Sequence, residues 1–443
     1  MYKVFFSAAA LHDVLRRYPA PRRYWVAYSG GLDSHVLLHA MAQLRPECGV
    51  TVHAAHVDHA LHPDSAHWAG HCRTVCADLG IPCQTVRVHA KAGPGVSPEA
   101  AARRARYQAL ADLMEPGDYL LTAHHQDDQA ETLLLQLLRG AGPHGLAAMP
   151  PCAGFSQGRH VRPLLEFSRA ALRRYAGEHT LHWIEDPGNI NRDFARNTLR
   201  HDIMPEINAR WPAAAVTLAR GARLQAEAAE LMDALAGLDL RQVLGAHKNT
   251  LSVTRLNALS GARQRNILRY WIKGLGLPLP DSRHVQRIVR DVLSARPDAV
   301  PCVHWRGAEV RRYRDELYAM PPLPAHDASQ IIAWDMKQPL ILPSGLGTLS
   351  CAPDAGGGLK QASCRDALVT VRFRRGGERC KPAGRRETHE LKKLLQEADV
   401  PPWQRARVPL VYIDGQLAAV AGLWLCAPFQ AETGEPGLRI SLS

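Results

Sequence analysis

The chain of 443 residues is poor in cysteine and in long apolar runs. Its 10 cysteines include no Cys-x-x-Cys pair and are too sparse for a disulfide scaffold, so a reducing compartment is expected. The most apolar late segment, residues 417–429, is interrupted by Gly422 and Pro428 and is shorter than the roughly 18 residues that a membrane-spanning helix needs. These shortages argue against a disulfide-rich secreted domain and a membrane span, and we predict a cytoplasmic protein.

Acidic residues are also in short supply. The 42 Asp and Glu residues are outnumbered by 54 Lys and Arg residues, and the resulting net charge of +12 favours polyanionic partners. Residues 255–314 contain 13 basic against 4 acidic residues, and residues 369–408 contain 11 against 5. We therefore expect the middle and C-terminal parts to bind a polyanion, although any single arginine there is better explained as solvated surface.

Strand and helix patterns alternate through the first half of the chain. Strand patterns are predicted at residues 25–28, 50–57, 83–88, 119–123 and 161–165, each followed by a helix pattern. This alternation predicts an α/β fold with a doubly wound, Rossmann-like parallel sheet. From about residue 215 the pattern is mainly helical, and beyond the prolines at 321–324 short strand patterns dominate. We predict three domains: a catalytic domain (1–215), a helical middle domain (216–322) and a small mixed α/β domain (335–443).

A serine- and glycine-rich turn follows the first predicted strand. Its residues are Ser29, Gly30, Gly31, Leu32, Asp33 and Ser34, and a helix pattern starts within them. Glycines let the backbone approach a phosphate closely, and the amides and dipole of a helix start favour an anion. The turn has neither the lysine of a Walker loop nor the G-x-G-x-x-G spacing of a dinucleotide fold. We expect these six residues to bind the phosphates of a nucleotide, with Asp33 near a metal ion.

Further polar residues lie where predicted strands end or helices begin. His56 lies near the end of the second strand, at the edge where open parallel sheets bind ligands, and we expect it to contact the bound nucleotide. Arg103 and Arg106 share one helix face, and we expect them to contact an RNA substrate, although a plain helix salt bridge also explains this spacing. Asp128 and Glu131 share a face near a helix start, where carboxylates suit Mg²⁺ carried by a nucleotide. Helix capping by Asp128 is the competing interpretation.

Two short polar segments come later in the predicted catalytic domain. The polar residues that we single out in them are Asp186, Asn189, Arg196, Asn197 and Arg200. We expect them to contact RNA or an adenylate, because an arginine can hold a phosphate with two hydrogen bonds. A network that fixes a loop explains the same residues nearly as well, and the sequence leaves both interpretations open.

Together these sequence motifs resemble those of a superfamily and of one family within it. The string Ser-Gly-Gly-x-Asp-Ser is similar to the pyrophosphate loop (PP-loop) of the N-type ATP pyrophosphatases, which split ATP between the α and β phosphates and adenylate their substrate. With the segments 124–132, 183–189 and 196–200, and with C-terminal strings at 369–373, 391–397 and 400–403, the chain resembles the tRNA(Ile)-lysidine synthetases. Ala60 and His62 depart from that family's usual residues.

The resemblance implies a reaction and its partners. ATP would adenylate the carbonyl oxygen of the wobble cytidine in the CAU anticodon of tRNA(Ile), and free L-lysine would displace AMP to give lysidine. It implies ATP and Mg²⁺, with Asp33 and Asp128 as candidate metal ligands. Some group must also take a proton from the lysine amine, whose pKa is about 10.4. The candidate catalytic groups are Asp33, His125, Asp128 and Glu131, with His124 as an alternative base to His125.

Alternative functions remain open from the residues alone. A PP-loop tRNA thiolase is the nearest enzymatic rival, but many thiolases carry the paired Cys-x-x-Cys motifs that this chain lacks, and we expect no zinc site or iron–sulfur cluster. A non-catalytic tRNA-binding protein is the other rival, and the intact phosphate loop argues against it. The sequence does not decide between a monomer and a homodimer, and we expect no membrane partner. The residues expected to hold the tRNA body are Arg265, Arg269, Arg385, Arg386, Lys392 and Lys393.

Overall fold

The structure is a computed structural model that describes residues 5–59, 63–89, 97–296 and 299–443. The chain divides into two compact units, residues 1–232 and 233–443, and each is described here by itself. The three predicted domains, with bounds at 215, 216, 322 and 335, stay a prediction. In the described part of the chain, no helix combines the length and the apolar character that crossing a membrane requires.

The first unit is built on a six-stranded sheet. The strands are β1 (Arg23–Ala27), β2 (Thr51–Asp58), β3 (Cys83–Arg87), β4 (Tyr119–Leu121), β5 (Cys152–Phe155) and β6 (Gly158–Val161). They are ordered β3-β2-β1-β4-β6-β5, and all neighbours are parallel except the hairpin of β5 and β6. The order reverses at β1, which lies between β2 and β4, and open sheets bind ligands at such a switch point.

Helices cover both faces of this sheet. The helices of the first unit are α1 (Ala8–Leu15), α2 (Leu32–Cys48), α3 (Ser65–Asp78), α4 (Pro98–Asp112), α5 (Gln126–Leu138), α6 (Pro143–Leu146), α7 (Arg169–Glu178), α8 (Ala195–Thr198) and α9 (Met204–Arg210). A 3₁₀ turn (Pro187–Ile190) and a π-helical turn (Leu199–Ile203) lie between them. The long α10 (Ala214–Val243) begins in the first unit and ends in the second. Successive strand residues point to opposite faces, so Tyr24 and Val26 join one core and Trp25 joins the other.

The predicted parallel sheet is confirmed, and one strand differs from the expectation. The fifth predicted strand, residues 161–165, ends at Val161 and begins earlier, at Gly158. An antiparallel strand, β5, precedes it and forms the edge of the sheet. Gly154 and Gly158 weaken the strand pattern here, because glycine has no side chain to pack. Gly158 is nevertheless required, since a Cβ atom would collide with the carbonyl oxygen of Asp118.

The first half of the second unit joins short helices to an antiparallel sheet. The helices are α11 (Val253–Asn257), α12 (Gly261–Gly274) and α13 (Ser282–Arg287), and a π-helical turn (Ile288–Leu293) follows. The strands β7 (Leu251–Ser252), β8 (Cys302–Trp305), β9 (Ala308–Tyr313) and β10 (Glu316–Met320) are ordered β7-β10-β9-β8. The sequence analysis predicted helices here and missed this sheet. Both hairpin turns contain a residue with positive φ, Gly307 and Arg314, as tight two-residue turns require.

The rest of the second unit contains a five-stranded sheet and a four-stranded sheet, both antiparallel. Their strands are β11 (Ile331–Ala333), β12 (Leu340–Ile341), β13 (Thr348–Ala355), β14 (Leu359–Lys360), β15 (Val369–Phe373), β18 (Pro409–Ile413), β19 (Gln416–Val420), β20 (Trp424–Leu425) and β21 (Pro436–Leu442), with β16 (Arg379–Cys380) and β17 (His389–Glu390) as a separate pair. The five strands are ordered β11-β15-β18-β19-β20, and the four are ordered β12-β13-β21-β14. The helices are α14 (Gln361–Cys364), α15 (Leu391–Glu397) and α16 (Pro402–Arg405). A turn at Gly422, whose φ is +73°, separates β19 from β20.

Trp403 on α16 joins the two halves of the second unit. Its ring packs edge-on against Tyr318 with 5.4 Å between centroids, and the guanidinium of Arg311 lies 5.4 Å from its centroid. Arg405 donates to the hydroxyl of Tyr313 at 2.9 Å. Aromatic pairs and cation–π contacts stabilise an interface beyond the area they bury. We call these five residues the Trp403 clasp.

Candidate active site

A cavity of about 740 Å³ lies at the carboxyl edge of the parallel sheet. The ends of β1, β2 and β4 open into it, as expected for an open α/β sheet. Of the residues predicted from sequence, it is lined by Ser29, Gly31, Leu32, Asp33, Ser34, His56, Arg106, His124, Asp186 and Arg200. The fold therefore brings the phosphate loop, two strand-end histidines and two distant arginines to a single site.

The phosphate loop has the backbone that its glycines predict. Gly30 has a φ of +85°, and a Cβ atom there would lie 2.8 Å from Cδ1 of Ile184 and 3.1 Å from Sγ of Cys72. Any other residue would be strained and would collide with these side chains. The amide of Ile184 donates to the carbonyl of Gly30 at 2.9 Å, so the loop is tied to the segment that follows α7.

Both serine hydroxyls are engaged within the loop. Ser34 Oγ donates to the carbonyl of Gly31 at 2.9 Å and lies 3.0 Å from Ser29 Oγ. The 17-residue α2 starts after Gly31, which has no side-chain cap. The first amides of a helix have no intrahelical partner, and the positive end of the dipole lies beside them. The backbone, more than the two hydroxyls, is therefore suited to bind phosphate oxygens.

His56 is held in one orientation at the end of β2. Its Nδ1 atom lies 3.0 Å from the carbonyl oxygen of Tyr28, which only accepts, so Nδ1 carries the proton. Burial lowers the pKa of His56 below its ordinary value, although the carbonyl of Tyr28 opposes this. The ring is thus neutral near pH 7 and Nε2 is left as a hydrogen-bond acceptor.

Two carboxylates and two arginines form a buried cluster beside the cavity. Glu131 receives hydrogen bonds from Arg200 Nε at 2.7 Å and from Arg196 Nε at 2.9 Å. One oxygen of Asp128 accepts from both arginines, each at 2.7 Å. Arg196 and Arg200 were expected to contact RNA or an adenylate, but in the structure they are bound to these carboxylates. That expectation stays a prediction, with Arg200 at the cavity wall.

The charges of this cluster stabilise one another. Burial alone would raise the pKa of Asp128, but His125, Arg196 and Arg200 hold it well below its usual range. Burial opposes the charge of Arg200 too, yet Glu131 and Asp128 raise the pKa of that guanidinium above its ordinary value. Asp128 is therefore ionised at neutral pH, and Arg200 stays a cation.

His125 joins this cluster to the phosphate loop. It is the N-cap of α5: its Nδ1 accepts from the amide of Asp128 at 3.4 Å, and its own amide donates to Asp128 at 3.0 Å. Its Nε2 lies 3.6 Å from Asp33 Oδ2. Burial would lower the pKa of His125, but the charges of Asp128 and Asp33 raise it. The capping predicted as the competing role of Asp128 is therefore present.

The segment after α7 is fixed by its own polar side chains. Asp186 accepts from the amide of Gly188 at 2.7 Å, and Asn197 donates to the carbonyls of Gly188 and Asn191 at 3.1 and 2.8 Å. These bonds match the loop-fixing interpretation of Asp186 and Asn197. The side chain of Asn189 lies outside the described part of the structure, as do Ala60 and His62.

The site prediction missed several residues that line the cavity. They are Trp68, Arg169, Arg173, Trp183 and His201. Arg169 follows the N-cap Ser168 of α7, and its amide donates to Asp127 at 2.8 Å. A signal was present, because Ser168 predicted a helix start where two arginines follow within one turn. Only the fold, however, brings that helix start to the phosphate loop.

Other predicted contacts lie away from the cavity lining. Arg103 is exposed on α4 with its guanidinium 5.1 Å from the ring of Tyr107. In the second unit Arg265, Arg386, Lys392 and Lys393 are exposed, and Arg269 is half-buried. Arg385 is exposed and pairs with Glu397 at 2.7 Å. These exposed cations are free to approach a polyanion, and their contact with tRNA stays a prediction.

Two buried cysteines, Cys72 and Cys76, lie on α3, and Cys72 is next to the phosphate loop. Burial raises the pKa of Cys72 to about 12. Thiols that are protonated at neutral pH are poor nucleophiles and poor metal ligands. Among the described residues there is no group of three or more His, Cys, Asp or Glu side chains that could hold a metal ion.

Comparison with family models divides the chain into three matches. A PP-loop domain matches residues 7–207, a TilS substrate binding domain matches residues 251–318, and a TilS substrate C-terminal domain matches residues 369–442. The first match contains every residue that lines the cavity. The two others contain the basic surfaces of the second unit.

Curated relatives match almost the whole chain. The tRNA(Ile)-lysidine synthase of Coxiella burnetii is 44% identical to this chain over 95% of this chain and 93% of the relative. That of Methylococcus capsulatus is 46% identical over 92% of this chain and 93% of the relative. Solved structures superpose on only part of the chain. A U34-tRNA thiolase from Methanococcus maripaludis covers 49% of this chain and 77% of its own, with a TM-score of 0.43 and 16% identity. A TilS C-terminal domain covers 26% of this chain and 98% of its own, with a TM-score of 0.22 and 21% identity. The extent and identity of the curated matches show that the chain belongs to the tRNA(Ile)-lysidine synthase family.

Proposed function

We propose that the chain is a ligase that converts the wobble cytidine of the CAU anticodon of tRNA(Ile) to lysidine. One observation carries the proposal: an intact phosphate loop opens into a cavity within a chain that is 44% identical to a named lysidine synthase over 95% of its length. The PP-loop domain supports the use of ATP, and the two TilS domains support a tRNA partner.

The reaction has two steps. In the first, the cytosine carbonyl oxygen attacks the α-phosphorus of ATP, the bond to the β-phosphate breaks, and pyrophosphate leaves. In the second, the ε-amine of L-lysine attacks the activated ring carbon, the carbon–oxygen bond breaks, and AMP leaves with that oxygen. The ε-ammonium loses one proton before it attacks, and its nitrogen loses a second proton as the carbon–nitrogen bond forms. The loop amides at the start of α2 are suited to bind the phosphates in the first step.

A magnesium ion bound with ATP fits Asp33 better than Asp128. Oδ1 of Asp33 is buried without a hydrogen-bond partner, and its residue lines the cavity. Both oxygens of Asp128 are engaged, one by two arginines and the other by the amide of His125. Mg²⁺ is commonly held by one or two carboxylates together with substrate phosphates, and it would neutralise phosphate charge. We therefore propose Asp33 as its protein ligand.

Removing the proton from lysine costs about 4–5 kcal/mol near pH 7, given an amine pKa of about 10.4. The catalytic roles predicted for His125, Asp128 and Glu131 stay predictions. Their test is to compare both steps in His125→Ala and Glu131→Gln variants. If the substituted residue is the base for lysine, the variant transfers labelled lysine more slowly but releases pyrophosphate at a less affected rate. If the residue organises ATP, the variant slows both steps equally.

The experiment that tests the function measures transfer of labelled lysine to RNA. The full-length protein is incubated with ATP, Mg²⁺, labelled L-lysine and unmodified tRNA(Ile) of anticodon CAU, and a matched tRNA of anticodon GAU serves as control. We expect label only in the CAU tRNA and only with ATP. Pyrophosphate release without any lysine requirement would favour a thiolase, and binding without release would favour a non-catalytic RNA-binding protein.

A further inference from the structure

A chain of four side chains runs from the sheet interior to the cavity. Arg162 Nη2 lies 3.1 Å from His160 Nδ1, and His160 Nε2 lies 2.8 Å from Thr122 Oγ1. Thr122 Oγ1 in turn lies 2.8 Å from Nδ1 of His124, which lines the cavity. The parallel pairing of β4 with β6 brings Thr122 and His160 together from residues 38 positions apart.

The first donor of this chain determines the direction of every hydrogen bond. A guanidinium only donates, so His160 Nδ1 accepts from Arg162. In a neutral ring the proton is then on Nε2, which donates to Thr122 Oγ1. The single hydroxyl proton of Thr122 is left to donate to Nδ1 of His124. The proton of His124 is therefore on Nε2, the nitrogen that this chain leaves free for the cavity.

Both rings remain neutral in this environment. Burial lowers the pKa of His160 to about 3, helped by the charges of Arg162 and Arg103. Burial likewise lowers the pKa of His124 to about 3. Asp128 opposes this shift, while Arg162, Arg196 and His160 support it. His124 thus differs from His56, which carries its proton on Nδ1 and offers an acceptor to the same cavity.

We propose that His124 is a fixed hydrogen-bond donor to an oxygen atom of the reacting groups, and that Thr122, His160 and Arg162 are positioning residues that set its tautomer. The proposal rests on the proposed function for the identity of that oxygen, which belongs either to the α-phosphate or to the cytosine carbonyl. A preorganised N–H donor stabilises negative charge as it develops there. This role replaces that of the general base suggested for His124 from the sequence.

The tautomer is measured without any substrate. Full-length protein labelled with ¹⁵N-histidine is compared with a His124→Gln variant to assign the ring, and its nitrogen shifts are followed from pH 6 to pH 8. We expect His124 to be protonated on Nε2 and not to titrate in this range. A ring protonated on Nδ1, or one that titrates between pH 6 and pH 8, would overturn the proposal whether or not the enzyme makes lysidine.

Substitutions then separate a donor from a base. His124→Gln keeps an N–H donor but has no basic nitrogen, whereas His124→Ala has neither. Loss of one such donor costs about 10²–10³-fold in rate, so we expect the alanine variant to fall by that factor and the glutamine variant to retain much more activity. Equal loss in both variants would identify a base. Slower pyrophosphate release points to the α-phosphate oxygen, and slower lysine transfer alone points to the carbonyl oxygen.

The positioning residues are tested at Thr122. Thr122→Val removes the hydroxyl at nearly constant volume, and Thr122→Ser restores it. We expect the valine variant to show mixed tautomers of His124 and at least about tenfold slower turnover, and the serine variant to recover both. Thr74→Val is the matched control, because that hydroxyl bonds only a carbonyl one helical turn away on the exposed side of α3. An unchanged tautomer in Thr122→Val would contradict the assigned role.

Discussion

Arg200 and Glu131 meet fork to fork, with Nε–Oε1 and Nη2–Oε2 distances of 2.7 and 2.9 Å. The glutamate side chain is only 3% exposed and that of the arginine 21%. Such two-bond pairs are among the stronger interactions between charged side chains, but removing one partner of a buried pair leaves the other charge uncompensated. The cluster therefore holds the side chains beside the cavity in one arrangement, and the stability of the protein is sensitive to the loss of any one of them.

We expect the cluster to contribute to stability as a coupled pair. Glu131→Ala should lower the free energy of unfolding by about 3–5 kcal/mol, because it removes one of the two carboxylates that Arg196 and Arg200 share and leaves part of their charge uncompensated. The double variant Glu131→Ala/Arg200→Ala should be destabilised by less than the sum of the two single variants, with a coupling energy of about 1–3 kcal/mol measured by denaturant titration.

Arg200→Ala with full activity per folded molecule would show that Arg200 has no role at the substrate.

Asp33→Asn should abolish the first step of the reaction. The change removes the charge of the carboxylate that we propose for Mg²⁺ and leaves the size of the side chain almost unchanged. We expect tRNA-dependent pyrophosphate release to fall by about 10²-fold or more, while tRNA affinity remains within about twofold of the parent. Turnover at the parent rate would show that Asp33 is not part of the phosphate site.

His160 should make the first unit sensitive to acid. In the unfolded chain its pKa is about 6.5, whereas in the folded chain it is about 3. Below about pH 6.5 the unfolded chain therefore binds a proton that the folded chain does not, and stability falls as the pH drops towards 3. His160→Phe should flatten the dependence of the unfolding free energy by up to about 1.4 kcal/mol per pH unit between pH 6 and pH 4. Identical slopes for both proteins would contradict the assigned pKa.

The exposed Lys392 and Lys393 should bind RNA phosphates. Replacing both with glutamine should weaken tRNA binding and lower the slope of log affinity against log salt by about one to two units, since each contact releases counterions. Lys337→Gln, an exposed lysine of the same unit outside the two basic segments, is the control. A slope that does not change in the double variant would identify these lysines as solvated surface.

The Trp403 clasp should affect tRNA binding without affecting ATP. Trp403→Ala removes the contacts with Tyr318 and Arg311 that join the halves of the second unit. Halves that move independently present their basic surfaces to tRNA at a higher entropic cost, so we expect a higher KM for tRNA and an unchanged KM for ATP. Trp403→Phe, which keeps an aromatic ring, should recover most of the affinity. Equal changes in both constants would argue for general destabilisation.

Local patterns predicted the catalytic half of the fold well. The helix start expected within the phosphate loop is present at Leu32, and Gly30 has a positive φ that glycine adopts readily. These features depend on neighbours in sequence. The strands β8 to β10 were missed, because basic residues interrupt the apolar alternation there. Their two-residue turns, at residues 306–307 and 314–315, also lack the Asn-Gly or Asp-Gly pair that indicates a hairpin.

Contacts between distant residues could not be derived in this way. A helix pattern gives the face that carries Asp128 and Glu131, and another pattern gives that of Arg196 and Arg200, but neither says that the two faces meet across 65 to 72 residues. The same limit applies to Thr122 and His160, which are neighbours only because β6 pairs with β4. The chemistry of the candidate site depends on exactly such pairs.

The π-helical turn at Leu199–Ile203 makes segment length a constraint in its own right. Such turns contain one residue more than the α-helical turn they replace. Deleting Leu199 would remove no charge, but it would bring Arg200 one residue closer to Arg196 and rotate its side chain by about 100° around the helix axis, away from Glu131. A substitution within Leu199–Ile203 should therefore disturb the cluster less than a deletion there. Among the sequences of this family, we expect gaps in this segment to be rarer than changes of residue.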